Sequence, residues 1–252
     1  MSQSPDAAPQ RIDALQRELQ LARDALEDFT YSVSHDLRAP LRHINAYLKI
    51  IREDLGDRLE PDTAAHLQTV VDSAAMIVRQ LDALQEMSRV GRVELQLSDV
   101  DMSRLLTGVR VQLAAVHADR QVHWRIEADL PMVRGDVALL GQMLTEVLGN
   151  ALKFSAACAP AVIEVSRGQC DDDMLELRIS DNGVGFDSRF QDRLFRVFQR
   201  LHSSRQFEGL GAGLALSRMV VARHSGSISA RGDLAPGCCV TLRLPLAAAL
   251  SQ

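Results

Sequence analysis

Apolar residues recur every three or four positions from near the start of the chain to about residue 90. Ile12, Leu15, Leu19, Ala22, Leu26, Phe29 and Val33 step alternately by threes and fours, an a/d heptad register. A stripe of Leu37, Leu41, Ile44, Leu48, Ile51 and Leu55 carries that register onward. The stretch from Gly56 to Pro61 predicts a turn, with a proline and acidic residues suited to opening a second helix. That helix carries Leu67, Val70, Val71, Ala74, Ile77, Val78, Leu81 and Leu84. Two antiparallel helices with faces this broad cannot bury them alone, so two copies are expected to pair into a four-helix bundle. A monomeric hairpin packed on the rest of the chain is the weaker alternative, because it leaves the leading heptads without a partner.

Gly91 is expected to end the helical region, and a different pattern follows it. It predicts a helix over about 101–118, a strand in VHWRIEA (122–128), a helix over about 136–153, and strands in AVIEVSR (161–167) and MLELRIS (174–180). A helix over about 210–224 and closing strands in SISARG and CVTLRLP complete the chain. This is an α/β sandwich with its strands clustered late. Between Asp187 and Gly209 no strong period survives, and an irregular stretch of roughly 20 residues inside a compact domain is usually a functional lid. The expected division is a tail and coiled-coil linker over 1–27, an all-helical domain over 28–92 and the sandwich over 93–252. The first ten residues read as disordered and about 88–100 as the connector.

Composition narrows the function classes. Aromatic residues make up 4% of the 252 residues, too few for a protein that reads nucleic acid by stacking bases. The net charge of −5 argues against a polyanion-binding surface, so affinity for a phosphorylated ligand must come from a local site. No apolar run reaches the ~18–20 residues that span a bilayer, and MSQSPDAAPQ lacks a signal-peptide core, so a cytoplasmic protein is expected. Cys158, Cys170, Cys238 and Cys239 show no CxxC spacing and read as reduced structural thiols.

The sharpest segment of the helical half is SVSHDLRAPL, residues 32–41. His35 has Asp36 beside it, Arg38, Arg42 and His43 nearby, and Pro40 inside the helical pattern, where it removes a backbone donor and kinks the helix. A lone histidine of this kind would be an ordinary surface residue; the surrounding set changes that reading. The arginines are expected to disfavour imidazolium and to attract an anionic phosphate, keeping the ring a neutral nucleophile. Asp36 can accept a ring proton, as general base, while the other nitrogen attacks phosphorus.

SHDLRAPL resembles the H-box of sensor histidine kinases, most closely the bacteriophytochrome-type group, and the resemblance implies that His35 is the phosphoacceptor. The sandwich half supplies matching boxes. TEVLGNALKFS (145–155) resembles the N-box, with Glu146, Asn150 and Lys153 on one helix face, where side-chain oxygens can hold Mg²⁺ and a lysine can neutralise phosphate. DNGVGFD (181–187) resembles the G1 box. There Asp181 can accept from an adenine amino group, and Gly183 and Gly185 let the backbone approach the base. FRVFQRLHS (195–203), with Phe195 and Phe198, resembles the F-box of the lid. GLGAGLAL (209–216) resembles the G2 box, where Gly209, Gly211, Gly213 and Leu214 lead into a helix N-terminus whose free amides can bind phosphate. Each box alone is weak, and no Walker-type GxxxxGK[ST] is present. Four boxes in the family's order downstream of an H-box are a strong signal, covering about residues 28–246.

The resemblance implies a gyrase-, Hsp90- and MutL-type ATP-binding sandwich and a homodimeric kinase. That kinase uses ATP and Mg²⁺ to phosphorylate His35, then passes the phosphoryl group to an aspartate of a response-regulator receiver domain. Three positions depart from the family pattern. Ala39 stands where a threonine or asparagine positions water for the phosphatase reaction, Leu210 replaces a frequent hydroxyl residue, and Glu146 replaces a frequent asparagine. Glu146 can help hold the metal or act as base on a water. Two rivals follow: a non-catalytic phosphotransfer or scaffold protein with a degenerate nucleotide site, and a nucleotide-driven conformational ATPase. The first expects loss of Asn150, Asp181 or the glycines, all of which are present; the second leaves the H-box unexplained. With only about 28 residues before the H-box helix, input is expected from a separate sensory protein or from a longer chain of which this is a piece.

Overall fold

A computed structural model of the chain describes residues 7–168, 173–203, 206–232 and 237–247, and it divides into two compact units, Met1–Arg89 and Val90–Gln252. The first unit is a helical hairpin. Helix α1 runs from Ala7 to Leu55 with Pro40 inside it, a 3-10 turn at Gly56–Arg58 reverses the chain, and α2 spans Pro61–Arg92. Pro61 occupies the first helical position, where a missing N–H is harmless, and Asp62 sets negative charge against the helix N-terminus. Leu41, Ala74 and Leu81, with Val78 packed on them, form the core between the helices.

The single stripe expected on α1 resolves into two. Leu41 and Leu48, at heptad spacing, are buried, whereas Leu37, Ile44 and Ile51, at the same spacing, are 44%, 44% and 41% exposed. Val70 and Ile77 of α2 are likewise exposed. The hairpin therefore uses one seam and leaves a second apolar seam uncovered. Helix from Ala7 onward corrects the expectation of disorder for residues 7–10, and residues 1–6 lie outside the described residues. The side chains of Ile12, Leu15, Leu19 and Leu26 lie outside the described residues, as does Cys170.

The second unit holds a five-stranded sheet of order β2-β4-β5-β7-β6 and a two-stranded ribbon β1-β3. Its elements are β1 (Ser98–Asp101), α3 (Met102–Val116), β2 (Val122–Ile126), β3 (Met132–Gly135), α4 (Val137–Phe154), β4 (Ala161–Arg167), β5 (Met174–Asp181), α5 (Gln191–Leu194), α6 (Gly213–Arg223), β6 (Ser227–Arg231) and β7 (Cys238–Pro245). Strand β2 pairs parallel to β4, and the remaining pairs of the large sheet are antiparallel. Alternation along the strands puts Ile163 and Val165 of β4, Leu175, Leu177 and Ile179 of β5, and Leu242 and Leu244 of β7 on one buried face. Helix α4 packs on that face and against α6, burying Leu140, Met143, Leu144, Leu148 and Leu152 completely.

The start of α4 is fixed by Asp136, whose Oδ1 accepts from the N–H groups of Ala138 and Leu139 at 3.0 and 3.1 Å. Its backbone N–H donates to Nε2 of the buried His224, at the end of α6, at 2.9 Å. One backbone–ring bond thus ties the first turn of α4 to the last turn of α6.

Within the expected connector over 88–100, α2 continues to Arg92, past Gly91, residues 93–97 are irregular, and β1 begins at Ser98. Val90 is fully buried and already belongs to the second unit. The helix expected from residue 210 starts at Gly213, because Gly211 has φ +75°, outside the helical basin. Among the described residues of the irregular stretch from Asp187 to Gly209 are a 3-10 turn, Ser188–Phe190, and the four-residue α5.

Candidate active site

In the hairpin unit, His35 and Asp36 are both exposed, with side chains 70% and 76% accessible, beside the buried Ser34. Nδ1 of His35 lies 3.3 Å from Oδ1 of Asp36. A proton on Nδ1 can therefore rest on the carboxylate, leaving Nε2 open to solvent as an acceptor of an incoming electrophile. Arg38 takes a different part from the one expected. Its Nη2 lies 2.5 Å from both Asp82 Oδ1 and Gln85 Oε1 on α2, so its charge is engaged in clamping the hairpin instead of waiting for phosphate. Arg42 and His43 are exposed on α1.

In the second unit, the buried face of α4 leaves Glu146, Asn150 and Lys153 half-buried on its other side. The fold carries the glycine turn at 209–213 across this face. A Cβ on Gly213 would lie 2.0 Å from Glu146 Oε2, and a Cβ on Gly209 would lie 3.3 Å from Lys153 Nζ. Glu146 thus touches the first residue of α6 and Lys153 touches the turn before it. Burial pushes the Glu146 carboxyl up, opposed by the charge of Lys153. The Lys153 ammonium is pushed down by burial and by Arg200, with Glu146 acting in the opposite sense. Leu214 is half-buried at the second position of α6, whose N-cap, Ala212, supplies no side-chain acceptor.

Asp181 ends β5, where its Oδ1 accepts from the Gly183 N–H at 2.8 Å. Burial raises its carboxyl to about 6, with hydrogen bonds from the Gly183 and Cys238 amides pulling the other way. Spare acceptor capacity on this carboxylate can receive a ligand amino group. The two G1 glycines are also packed closely within the protein. A Cβ at Gly183 would meet Phe154 O at 2.5 Å, and one at Gly185 would meet the carbonyls of Gly232 and Gly237 at 2.6 Å. Both make room for the protein's own chain. The Cys238 thiol is pushed up to about 12, first by burial and then by Asp181 and Cys239, so it stays protonated and unreactive.

The F-box phenylalanines are placed unequally. Phe198 adopts φ +61° and its N–H donates to Gly211 O at 3.0 Å, tying the lid to the glycine turn, while Phe195 is half-buried. The aromatic cluster beside Lys153 is instead Phe154, His202 and Phe207, with ring centroids 5.0–5.4 Å apart and the Lys153 ammonium 4.5 Å from the Phe154 ring. His202 Nε2 donates to Gly185 O at 2.9 Å. Arg200 donates through Nη1 to Gly209 O at 2.7 Å and through Nη2 to Phe207 O. Arg200, His202, Phe154 and Phe207 were not foreseen as site residues. The signal available was a cation and an imidazole beside the F-box phenylalanines, directly upstream of a glycine-rich turn.

Among the described residues no group of three or more His, Cys, Asp or Glu could by itself hold a metal ion. Glu146 and Asn150, one turn apart on α4, offer a carboxylate and an amide oxygen, donors of the kind that fit Mg²⁺. No helix among the described residues is long and apolar enough to cross a membrane.

Comparison with known proteins places each unit. Residues 25–93 match the His Kinase A (phospho-acceptor) domain, and residues 135–248 match the histidine kinase-, DNA gyrase B- and HSP90-like ATPases. The chain is 31% identical to cyanobacterial phytochrome B from Nostoc sp., over 84% of this chain and 28% of that protein. It is 30% identical to the signal transduction histidine-protein kinase AtoS of Escherichia coli, over 88% of this chain and 35% of that protein. It therefore spans about a third of the length of these relatives. Among solved structures, full-length ShkA in complex with AMPPNP aligns over 87% of this chain and 46% of its own, with a TM-score of 0.60 at 23% identity. The mycobacterial sensor histidine kinase MprB aligns over 60% of this chain and 97% of its own, with a TM-score of 0.52 at 26% identity. The chain belongs to the sensor histidine kinases, as a phosphoacceptor hairpin joined to a histidine kinase-type ATPase domain.

Proposed function

We propose that the chain binds ATP with Mg²⁺, transfers the γ-phosphoryl group to Nε2 of His35, and hands it on to an aspartate of a response-regulator receiver domain in the cytoplasm. The observation that carries this reading is the His35–Asp36 pair, which leaves Nε2 free on an exposed helix face. As Nε2 bonds to phosphorus, the bond from phosphorus to the bridging oxygen breaks and ADP leaves, while Asp36 holds the Nδ1 proton. Asp181 would receive the adenine amino group, and Gly209, Gly211, Gly213 and Leu214 would present backbone amides to the phosphates. Lys153 would neutralise charge on those phosphates. Asn150 and Glu146 would hold the Mg²⁺, which supplies charge neutralisation on the polyphosphate. Phe195 and Phe198 would seat the lid.

The reading includes a homodimer, supported by the uncovered seam of Leu37, Ile44 and Ile51. The resulting P–N bond is reactive enough to be passed to a carboxylate, and a separate sensory protein or domain would supply the input. Incubation with γ-labelled ATP should give acid-labile, alkali-stable label on the chain. His35→Gln should abolish the label and leave nucleotide affinity within about twofold, since the two groups belong to different compact units. Label persisting on His43 or elsewhere would refute the assignment.

A further inference from the structure

His224 is buried at the C-cap of α6 and takes no part in the chemistry proposed above. Its ring is held through both nitrogens. Nδ1 lies 2.8 Å from the carbonyl oxygen of Val220, and Nε2 lies 2.9 Å from the backbone nitrogen of Asp136. A carbonyl accepts and an amide N–H donates, so the ring proton sits on Nδ1 and Nε2 is the acceptor: the ring is neutral and in one tautomer. Gly135 seats it, since a Cβ there would lie 3.0 Å from Cδ2. Asp136 in turn fixes the start of α4, with Oδ1 accepting from the Ala138 and Leu139 amides and Oδ2 from the Gln96 amide at 3.0 Å. Of these bonds, the one to His224 reaches α6. Arg223 holds the same turn of α6 on another side, its Nη1 donating to Val90 O.

The opposite end of α6 is the Gly209–Gly213 turn. Gly213 and His224, eleven residues apart, meet Glu146 and Asp136, ten apart, so α6 runs antiparallel to α4 in one register. Leu216, Val220 and Val221 of α6 are buried, but apolar packing is non-directional and sets the separation of two helices more than their axial register. A hydrogen bond is directional and sets the register. We propose that His224 is a positioning residue for the nucleotide: its bond to Asp136 fixes α6 along α4 and so places the 209–213 amides, about 16 Å away at the far end of α6, where they receive phosphates. This rests on the nucleotide-binding reading of that turn. Asp181, at the end of β5, takes its place from the sheet and not from α6. Loss of the His224 bond therefore costs phosphate contacts and spares the adenine contact. By linkage, bound phosphates stabilise the His224–Asp136 bond by the same factor.

The test compares binding of a non-hydrolysable ATP analogue with Mg²⁺ and of adenosine to the full chain, for the wild type, His224→Leu and His224→Gln. His224→Leu should bind the analogue at least about tenfold more weakly and adenosine within about twofold of the wild type. His224→Gln, whose amide oxygen can reach the place of Nε2, should stay within about threefold of the wild type for both ligands. Equal weakening of both ligands by His224→Leu, or no restoration of analogue binding by glutamine, would overturn the proposal. The wild type alone supplies a second measurement, independent of how the variants fold. Its His224 ring should show ¹⁵N shifts of a protonated Nδ1 and an unprotonated Nε2, and its Asp136 amide should exchange hydrogen at least about threefold more slowly with the analogue bound than with adenosine bound. A protonated Nε2, or equal exchange with either ligand, would also overturn the proposal. Failure of the wild type to bind the analogue or adenosine would instead overturn the nucleotide-site reading on which it stands.

Discussion

Asp181 combines a proposed binding role with an energetic cost, and the two can be separated. Its carboxyl is raised from 3.8 to about 6 by burial, while amides of Gly183 and Cys238 offset only part of that cost. A carboxyl whose folded pKa exceeds its unfolded value contributes stability below the unfolded value, and loses it as pH rises through the folded one. The window therefore runs from about pH 4 to about pH 6, and at neutral pH the wild type carries the desolvated charge. Asp181→Asn should stabilise the protein at about pH 8 by on the order of 2 kcal/mol, with the gap closing as the pH falls towards 4. Thermal melts at both pH values would show it, and an equal advantage at the two would mean that burial of the charge is not the cause. The same substitution should weaken adenine-nucleotide binding at least tenfold if, as proposed above, the carboxylate accepts from the exocyclic amino group. At this scale the sequence was most legible where placement is set locally, as for the adjacent His35 and Asp36 and for Asp181 at the end of β5. It was least legible where the partner is distant along the chain. The engagement of Arg38 by Asp82 and Gln85, and of Arg200 by Gly209, leaves no trace in local spacing.

Among the elements, the hairpin shows how one hydrophobic stripe can serve two partners. Leu41 lies in the core with Ala74 and Leu81, while Ile44, one turn further along α1, does not. Leu41→Ala should lower the stability of the hairpin by about 2–3 kcal/mol through lost burial and a residual cavity, whereas Ile44→Ala should cost under about 1 kcal/mol within one chain. Chemical denaturation of the two variants, followed by helix content, would check the contrast, and equal losses would mean that the α1 seam is wrongly divided. Periodicity gave the long helices and the five strands of the main sheet, because each buries one continuous face. It did not give β1 and β3, four residues each, whose alternation is too short to register and whose pairing with each other spans a whole helix. Nor could it place the start of α6, which is decided by a glycine backbone angle that hydrophobic spacing does not encode.

The whole molecule has an unfinished surface, and that surface predicts its assembly. Leu37, Ile44 and Ile51 on α1, with Val70 and Ile77 on α2, stay exposed after the hairpin closes and repeat at heptad spacing. Burying such a seam against a second copy removes apolar area from water at roughly 25 cal/mol per Å², and a four-helix bundle is the arrangement in which two hairpins can do so together. The full chain should therefore be a dimer at micromolar concentration by light scattering. A single charge in the seam, Ile44→Glu, should shift it to monomer, since an unpaired carboxylate would be buried between the copies. The substitution lies outside the Val90–Gln252 unit, so nucleotide binding there should be unchanged. Mixing His35→Gln chains with chains carrying Asp181→Asn then separates two modes of transfer. Within a dimer, restored labelling means that one copy's nucleotide site serves the other copy's histidine; no labelling means that each copy serves itself. A wild-type chain that is monomeric at micromolar concentration would contradict the dimer, and would leave the apolar seam in need of a different partner.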